Sequence, residues 1–222
     1  MFNKRIGIFT GHFGSGKTEV AVNYALKLAE KGCKTAIVDF DIVNPYFRTA
    51  DARERLESRG IYVLAPMYAN TNVDVPALPA EISAIFEKKE YRVVFDVGGD
   101  DLGARVLSRY RNEIGEDDYE MFFVINIKRP MTDTVRKICD MAEEIQYSSR
   151  LKITSLVNNT NLLGKTTFEH IEEGHRMISE VSEKMNIPIG FTSLIGKSGE
   201  ELEIRAGAEI LRMEKLIKLP WD

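Results

Sequence analysis

Short apolar runs recur along the chain at intervals that predict strands alternating with helices. β-Branched and aromatic residues gather at Arg5–Thr10, Lys34–Asp39, Ile61–Ala65, Tyr91–Val97, Met121–Asn126, Lys152–Val157 and Pro188–Thr192, each run short enough for a buried strand. Between most of them the apolar positions return every three or four residues, at Thr18–Lys31, Pro79–Lys89, Met131–Gln146 and Phe168–Met185. That is the period of a helix with one buried face. Strands flanked by such helices predict an α/β fold: a mainly parallel central sheet with helices on both faces, a three-layer sandwich. A last stripe, Leu202, Ala206, Ile210, Met213 and Ile217, predicts a final helix before Leu219-Pro220-Trp221. Glu209 and Glu214 offset Arg212, Lys215 and Lys218 there, so the stripe reads as packing against the body and not as a basic face lying on a membrane.

The junction between the first strand and the first helix carries chemistry. It reads Gly11-His12-Phe13-Gly14-Ser15-Gly16-Lys17-Thr18, the Gly-x-x-x-x-Gly-Lys-Thr pattern of a phosphate-binding (Walker A) loop in its strand–loop–helix setting. Glycines let successive N–H groups converge on phosphate oxygens, and the helix that follows adds the positive end of its dipole. Lys17 is expected to reach the terminal phosphates, and the Thr18 hydroxyl to ligate Mg²⁺. The main chain of His12, Phe13, Ser15 and the three glycines completes the expected nucleotide-binding set.

Parallel connections are right-handed, so the loops at the C-terminal ends of the strands share one edge of the sheet with this loop. Three other segments come to that edge: Asp39-Phe40-Asp41, Asp96-Val97-Gly98-Gly99 and Asn158-Asn159. Asp96 closes an apolar strand as a Walker B acid does, and a carboxylate buried there needs a cation, which Mg²⁺ beside Thr18 would supply. Gly99 completes an Asp-x-x-Gly pattern whose N–H can bond a γ-phosphate and release when that phosphate leaves. Alternation puts Asp39 and Asp41 on one side of their strand, one to hold the metal's water shell and the other to position attacking water. For Asp39, capping the turn before Asn44-Pro45 is an equal reading.

Composition narrows the partners. The hydrophobic content of 44% over 222 residues suffices for a full core, and with no Pro/Gly/Ser-rich linker the chain reads as one nucleotide-binding domain, 1–222. The net charge is −4 and no lysine or arginine run occurs, which argues against a dedicated nucleic-acid surface. The apolar start is too short for a signal peptide or an integral membrane segment, so a cytoplasmic location is expected. Cys33 and Cys139 stand far apart without ligand spacing and read as core thiols.

Taken together, Gly11–Thr18, Val38-Asp39-Phe40-Asp41-Ile42, the Ile61–Ala65 strand, Phe95-Asp96-Val97-Gly98-Gly99 and Val157-Asn158-Asn159 resemble, in order and interval, the MinD/ParA group of P-loop ATPases. That group belongs to the class that also holds the nitrogenase iron protein and the signal-recognition GTPases. The resemblance implies ATP and Mg²⁺ as cofactors, slow hydrolysis, a protein client and a nucleotide-dependent homodimer. It makes Lys17 and Asp41 the catalytic pair, with Thr18, Asp41 and Asp96 at the metal and Gly99 in the second switch. Asn158, with Asn159 as the alternative, becomes the base reader, and adenine the base, because Asn-Asn-Thr-Asn is not the Asn/Thr-Lys-x-Asp of GTP-binding relatives. The sequence departs from the family at His12, where members often carry a second lysine that crosses to a partner's phosphates. A histidine there is either a substitute hydrogen-bond donor to phosphate or a tolerated loop residue.

Two further readings stay open beside the switch ATPase. A phosphotransferase or ligase acting on a small molecule would use Arg105, Arg109 and Arg111 as a substrate clamp, Arg105 and Arg109 sharing a helical face. A non-hydrolysing nucleotide-binding module is the third. Arg48 reads either as a γ-phosphate sensor or partner contact or, more simply, as a solvated helix-start arginine, and the segments Asn44–Thr49 and Asn70–Pro79 have no counterpart in the family pattern.

Overall fold

The strand β1 (Ile6–Thr10) is buried at all five positions and β2 (Thr35–Phe40) at all six. Strands apolar on both faces are stable only under cover on both sides, and that requirement organises the molecule. The computed structural model describes residues 1–40, 49–65, 80–99, 101–195 and 209–217, apart from the side chains at 50, 51, 80, 101 and 102. In chain order, β1 is followed by α1 (Lys17–Glu30), β2, a 3-10 turn (Thr49–Ala52), α2 (Arg53–Glu57), β3 (Tyr62–Leu64), α3 (Ala80–Glu87) and β4 (Arg92–Val97). Then come α4 (Asp101–Arg109), α5 (Arg111–Glu116), β5 (Tyr119–Ile125), α6 (Val135–Ser149), β6 (Ser155–Asn158), α7 (Phe168–Met185), β7 (Ile189–Ile195) and β8 (Ile210–Met213).

Among the described residues the strands form one sheet of eight in the order β3-β2-β4-β1-β5-β6-β7-β8. Every pairing is parallel. The expected α/β class therefore holds, and the sheet is wholly parallel where mainly parallel was predicted. Alternation along the strands separates two cores. Ile8, Phe95 and Phe123 join Phe86, Leu107, Ile138 and Ile178 on one face. Phe9, Ile37 and Phe122 join Val20, Tyr24 and Leu56 on the other. Phe9 stacks on Phe122 with ring centroids 4.7 Å apart, and Tyr24 of α1 meets Phe9 edge-on at 5.0 Å. Aromatic contacts of this kind add about 0.5–1.5 kcal/mol beyond the area they bury, and here they lock α1 to the strand that feeds it.

The last predicted helix is corrected over its described part. Residues 202–208 lie outside the described residues, but Ile210–Met213 is a strand, paired to β7 through Ser193↔Leu211 and Ile195↔Met213. Leu211 and Met213 are buried while Ile210 and Arg212 are half-buried, a two-residue period. Four residues of mixed polarity fit either period, and an open edge at β7 decides between them. The following segment is tied back to α1: Asn23 Nδ2 donates to the Glu214 carbonyl at 2.9 Å, and the Leu216 N–H donates to Glu19 at 2.8 Å. Cys139 is buried as expected, whereas Cys33 is only half-buried.

One ion pair offers a pH test of the frame. Arg5 Nη2 stands 2.5 Å from Asp117 and Lys89 Nζ 2.9 Å from it, joining the residue before β1 to the end of α5. Burial alone would push the Asp117 carboxyl up, but hydrogen bonds from Arg5 and Lys89 hold it below the ordinary carboxylate range. A depressed carboxyl stabilises the fold above its unfolded pKa and loses that contribution as pH falls through the folded value. Asp117→Asn should therefore cost about 1–2 kcal/mol at pH 7, between the values for exposed and buried pairs. Denaturant unfolding at pH 7 and pH 3 should show the gap from wild type narrowing at the lower pH.

Candidate functional site

The central strand is β1, with β4 on one side and β5 on the other. This is where the chain switches direction across the sheet, and crevices beyond the strand ends at such a point are where parallel sheets bind ligands. The loop from Gly11 to Gly16 leaves β1 there. The Ser15 N–H donates to the His12 carbonyl at 2.9 Å, closing a tight turn. Gly16 stands at φ 83°, a conformation that costs a side-chain-bearing residue about a kcal/mol or more. It opens α1 with no side-chain cap among the described residues. The first-turn N–H groups of an uncapped helix are donors in search of an acceptor, and an anion meets that need. Lys17 and Thr18 follow at once, each only 5% exposed.

The loop is braced by its neighbours. Arg129, just beyond β5, donates from Nε to the Gly14 carbonyl at 2.9 Å. Asn159 donates from Nδ2 to the Ser15 carbonyl at 2.6 Å, and its own oxygen accepts from Ser193 Oγ at 2.8 Å. Two carbonyls of the loop are thus held by side chains that follow β5 and β6, the second of them steadied from β7. A loop fixed in advance pays less entropy when a ligand arrives. Neither Arg129 nor Ser193 belongs to a motif, so sequence reasoning had no spacing by which to find them.

Buried carboxylates line the other side. Asp96 at the end of β4 sits in register with Phe9 and with Asp39 of β2. Adjacent strands lie about 4.8 Å apart, so the two acids are neighbours on one edge. Asp96 is fully buried and Asp39 is 2% exposed. Thr49 Oγ1 donates to Asp96 Oδ2 at 3.1 Å. Two carboxylates so close and so dry call for positive charge. Hard oxygen donors, carboxylate and the Thr18 hydroxyl, suit Mg²⁺, which takes one or two carboxylates together with phosphate oxygens and water. The residues present fit that ion. Asp41 falls outside the described residues, as do Arg48 and Asn70–Pro79.

The tail of β4 rests on the phosphate loop. A Cβ placed on Gly99 would collide with the Gly11 carbonyl, so this contact requires glycine. The two asparagines separate in role. Asn158 is fully buried, donating to the Ile171 carbonyl of α7 at 3.1 Å and accepting from the Thr160 N–H at 3.1 Å. Asn159 braces the loop as described. Asn126 joins them: it donates to the Asn161 carbonyl at 3.1 Å, while Asn161 donates to the Asn159 carbonyl at 2.8 Å. His12 contacts the Phe13 carbonyl through Nδ1 at 2.7 Å, and the Phe13 ring is 57% exposed.

A glycine-rich loop between a central parallel strand and an uncapped helix, with a buried acid closing the adjacent strand, defines the fold of the P-loop NTPases. Solved structures agree. FtsY from Thermotoga maritima superimposes with a TM-score of 0.59 at 17% identity, over 88% of this chain and 63% of its own. Chloroplast FtsY from Physcomitrella patens gives 0.57 at 19% identity, over 87% and 59%. The signal recognition particle 54 kDa protein from Aeropyrum pernix, solved in complex with GDP, gives 0.54 at 20% identity, over 84% and 40%. The chain thus spans less than two thirds of the length of these structures. No protein-family model matches it, and no curated protein matches it in sequence. No helix among the described residues is long and apolar enough to cross a membrane.

Proposed function

We propose that this protein is an Mg-ATP-dependent switch ATPase whose nucleotide state is read by a protein client. The observation that carries the reading is the buried Lys17-Thr18 pair at the uncapped start of α1, beside the in-register acids Asp39 and Asp96. In this reading the loop N–H groups cradle the phosphates, Lys17 neutralises charge that builds on the transferring phosphoryl group, and Thr18 and Asp96 hold Mg²⁺. Mg²⁺ would supply charge neutralisation on the phosphate oxygens. Asp41 orients the attacking water. Gly99, packed on Gly11, reports whether the γ-phosphate is present. ATP is preferred over GTP because Asn158-Asn159-Thr160-Asn161 lacks the lysine of a guanine-reading motif. His12 and the exposed Phe13 place a polar group and an aromatic ring on the face that a nucleotide-dependent homodimer would bury.

Phosphate release tests this. With Mg²⁺ and ATP, Asp41→Ala should release phosphate about a hundredfold more slowly than wild type while binding ATP normally. Equal slow release by both proteins would refute hydrolysis and leave a nucleotide-binding module. Release that depends on an added small-molecule acceptor would instead favour the phosphotransferase reading.

A further inference from the structure

Beside the phosphate loop, a cavity of about 1110 Å³ opens between α4 and α6, with His12 and Gly99 in its wall. The buried side chains Ala104, Met141 and Ile145 line it, which gives an apolar surface. Arg105 and Arg109, one turn apart on α4, face it together with Arg150 from the end of α6. Among the described lining residues the one acid is Glu144, and Arg109 and Arg150 alone outweigh it, so this part of the wall is positive without counting Arg105. Among the described residues, Arg109 and Arg150 form no ion pair with a carboxylate. Tyr147 stands at the mouth with 88% of its surface exposed, an aromatic face left uncovered. Arginine forks match carboxylate and phosphate oxygens in pairs, and an apolar pocket with a few convergent polar groups is the usual form of a small-molecule site.

We propose that this cavity binds a small organic acid, a carboxylate or phosphate ester with an apolar body, and that His12 and Gly99 couple its occupancy to the nucleotide. The coupling rests on the nucleotide reading above; the anion site does not. The arginines hold the acidic head, and the apolar floor and Tyr147 cover the body. Because Gly99 is packed against Gly11, a ligand pressing on this wall acts on the phosphate loop through backbone and not through a long side chain.

Benzoate, phenyl phosphate and benzamide, one ring bearing a carboxylate, a phosphate or a neutral head, separate the alternatives. Each is titrated against the full chain by ligand-observed NMR, in wild type, Lys17→Ala, and the double variants Arg105→Gln/Arg109→Gln and Arg105→Lys/Arg109→Lys. The expected result is that at least one acid binds about tenfold or more tightly than benzamide, the tighter of the two acids naming the head group. The glutamine variant should lose that preference and the lysine variant keep most of it, with melting temperatures checked for all. Lys17→Ala should leave it unchanged. If benzamide binds as well as the acids, if the glutamine variant retains the preference while folded, or if no probe binds, the proposal is overturned. If Lys17→Ala alone loses the acid, the anion lies on the phosphate loop and the cavity assignment fails. Acid binding in a protein that takes no nucleotide would uphold the cavity and refute the ATPase.

Discussion

Gly99→Ala should weaken binding of a nucleoside triphosphate by at least about tenfold and lower stability by about 1–3 kcal/mol. The added methyl would overlap the Gly11 carbonyl, which is backbone and cannot swing aside like the end of a long side chain. Either the tail of β4 lifts from the loop or the loop deforms; the first breaks the contact proposed to sense the γ-phosphate and the second misplaces the proposed N–H cradle. The two outcomes separate experimentally. A lifted tail leaves diphosphate affinity near wild type while triphosphate affinity falls, and a deformed loop lowers both. Fluorescence titration with labelled di- and triphosphate, beside a thermal melt, measures each. Unchanged affinity and stability would mean that the tail is not held against the loop in solution.

Lys17→Ala should have the larger effect on binding. Lys17 is only 5% exposed at the start of α1, so its charge acts with little screening on whatever the loop holds. Removing one member of a buried, hydrogen-bonded charge pair costs about 2–5 kcal/mol, which corresponds to a loss of affinity of about thirtyfold to several thousandfold. Lys17→Arg should not rescue it, because a planar fork does not replace a compact ammonium in a tight loop. Isothermal titration with Mg-ATP checks both variants. Retained submicromolar binding by the alanine variant would remove Lys17 from the site.

The sheet was legible because each strand is a compact apolar run, and seven of the predicted runs coincide with β1 to β7 to within a few residues. Strand order was not, since nothing in a local pattern says that β4 inserts between β2 and β1. The short helices α2 and α5 escaped notice because five or six residues give too few turns for a period to emerge. The Ile210–Met213 segment was misread for the same reason, its four residues being equally compatible with a helix stripe until the open edge of β7 is known.

The site divides likewise. Lys17, Thr18, Asp96 and Gly99 could be named as candidates from the sequence because backbone geometry and phosphate chemistry prescribe their spacing. Arg129, Thr49 and Ser193 act through contacts across 115, 47 and 34 residues of sequence, and no local signal encodes such pairs. Asn159 shows how one residue type serves two purposes. Read along the chain, it is a spare base reader; folded, its amide clasps the Ser15 carbonyl and braces the loop. Asn158 likewise spends its amide on α7 and on Thr160. In the ATPase reading, a base at this strand end is met by an asparagine that is already part of the frame.

The central claim is that the loop from Gly11 to Thr18 binds a nucleoside triphosphate with Mg²⁺, and isothermal titration of the purified wild-type chain with ATP and GTP, each with and without Mg²⁺, addresses it most directly. The account predicts saturable one-site binding of ATP, at least about tenfold tighter with Mg²⁺ than without, and weaker binding of GTP. Tighter binding of GTP would overturn the choice of base, and no heat of binding with either triphosphate would contradict the claim itself.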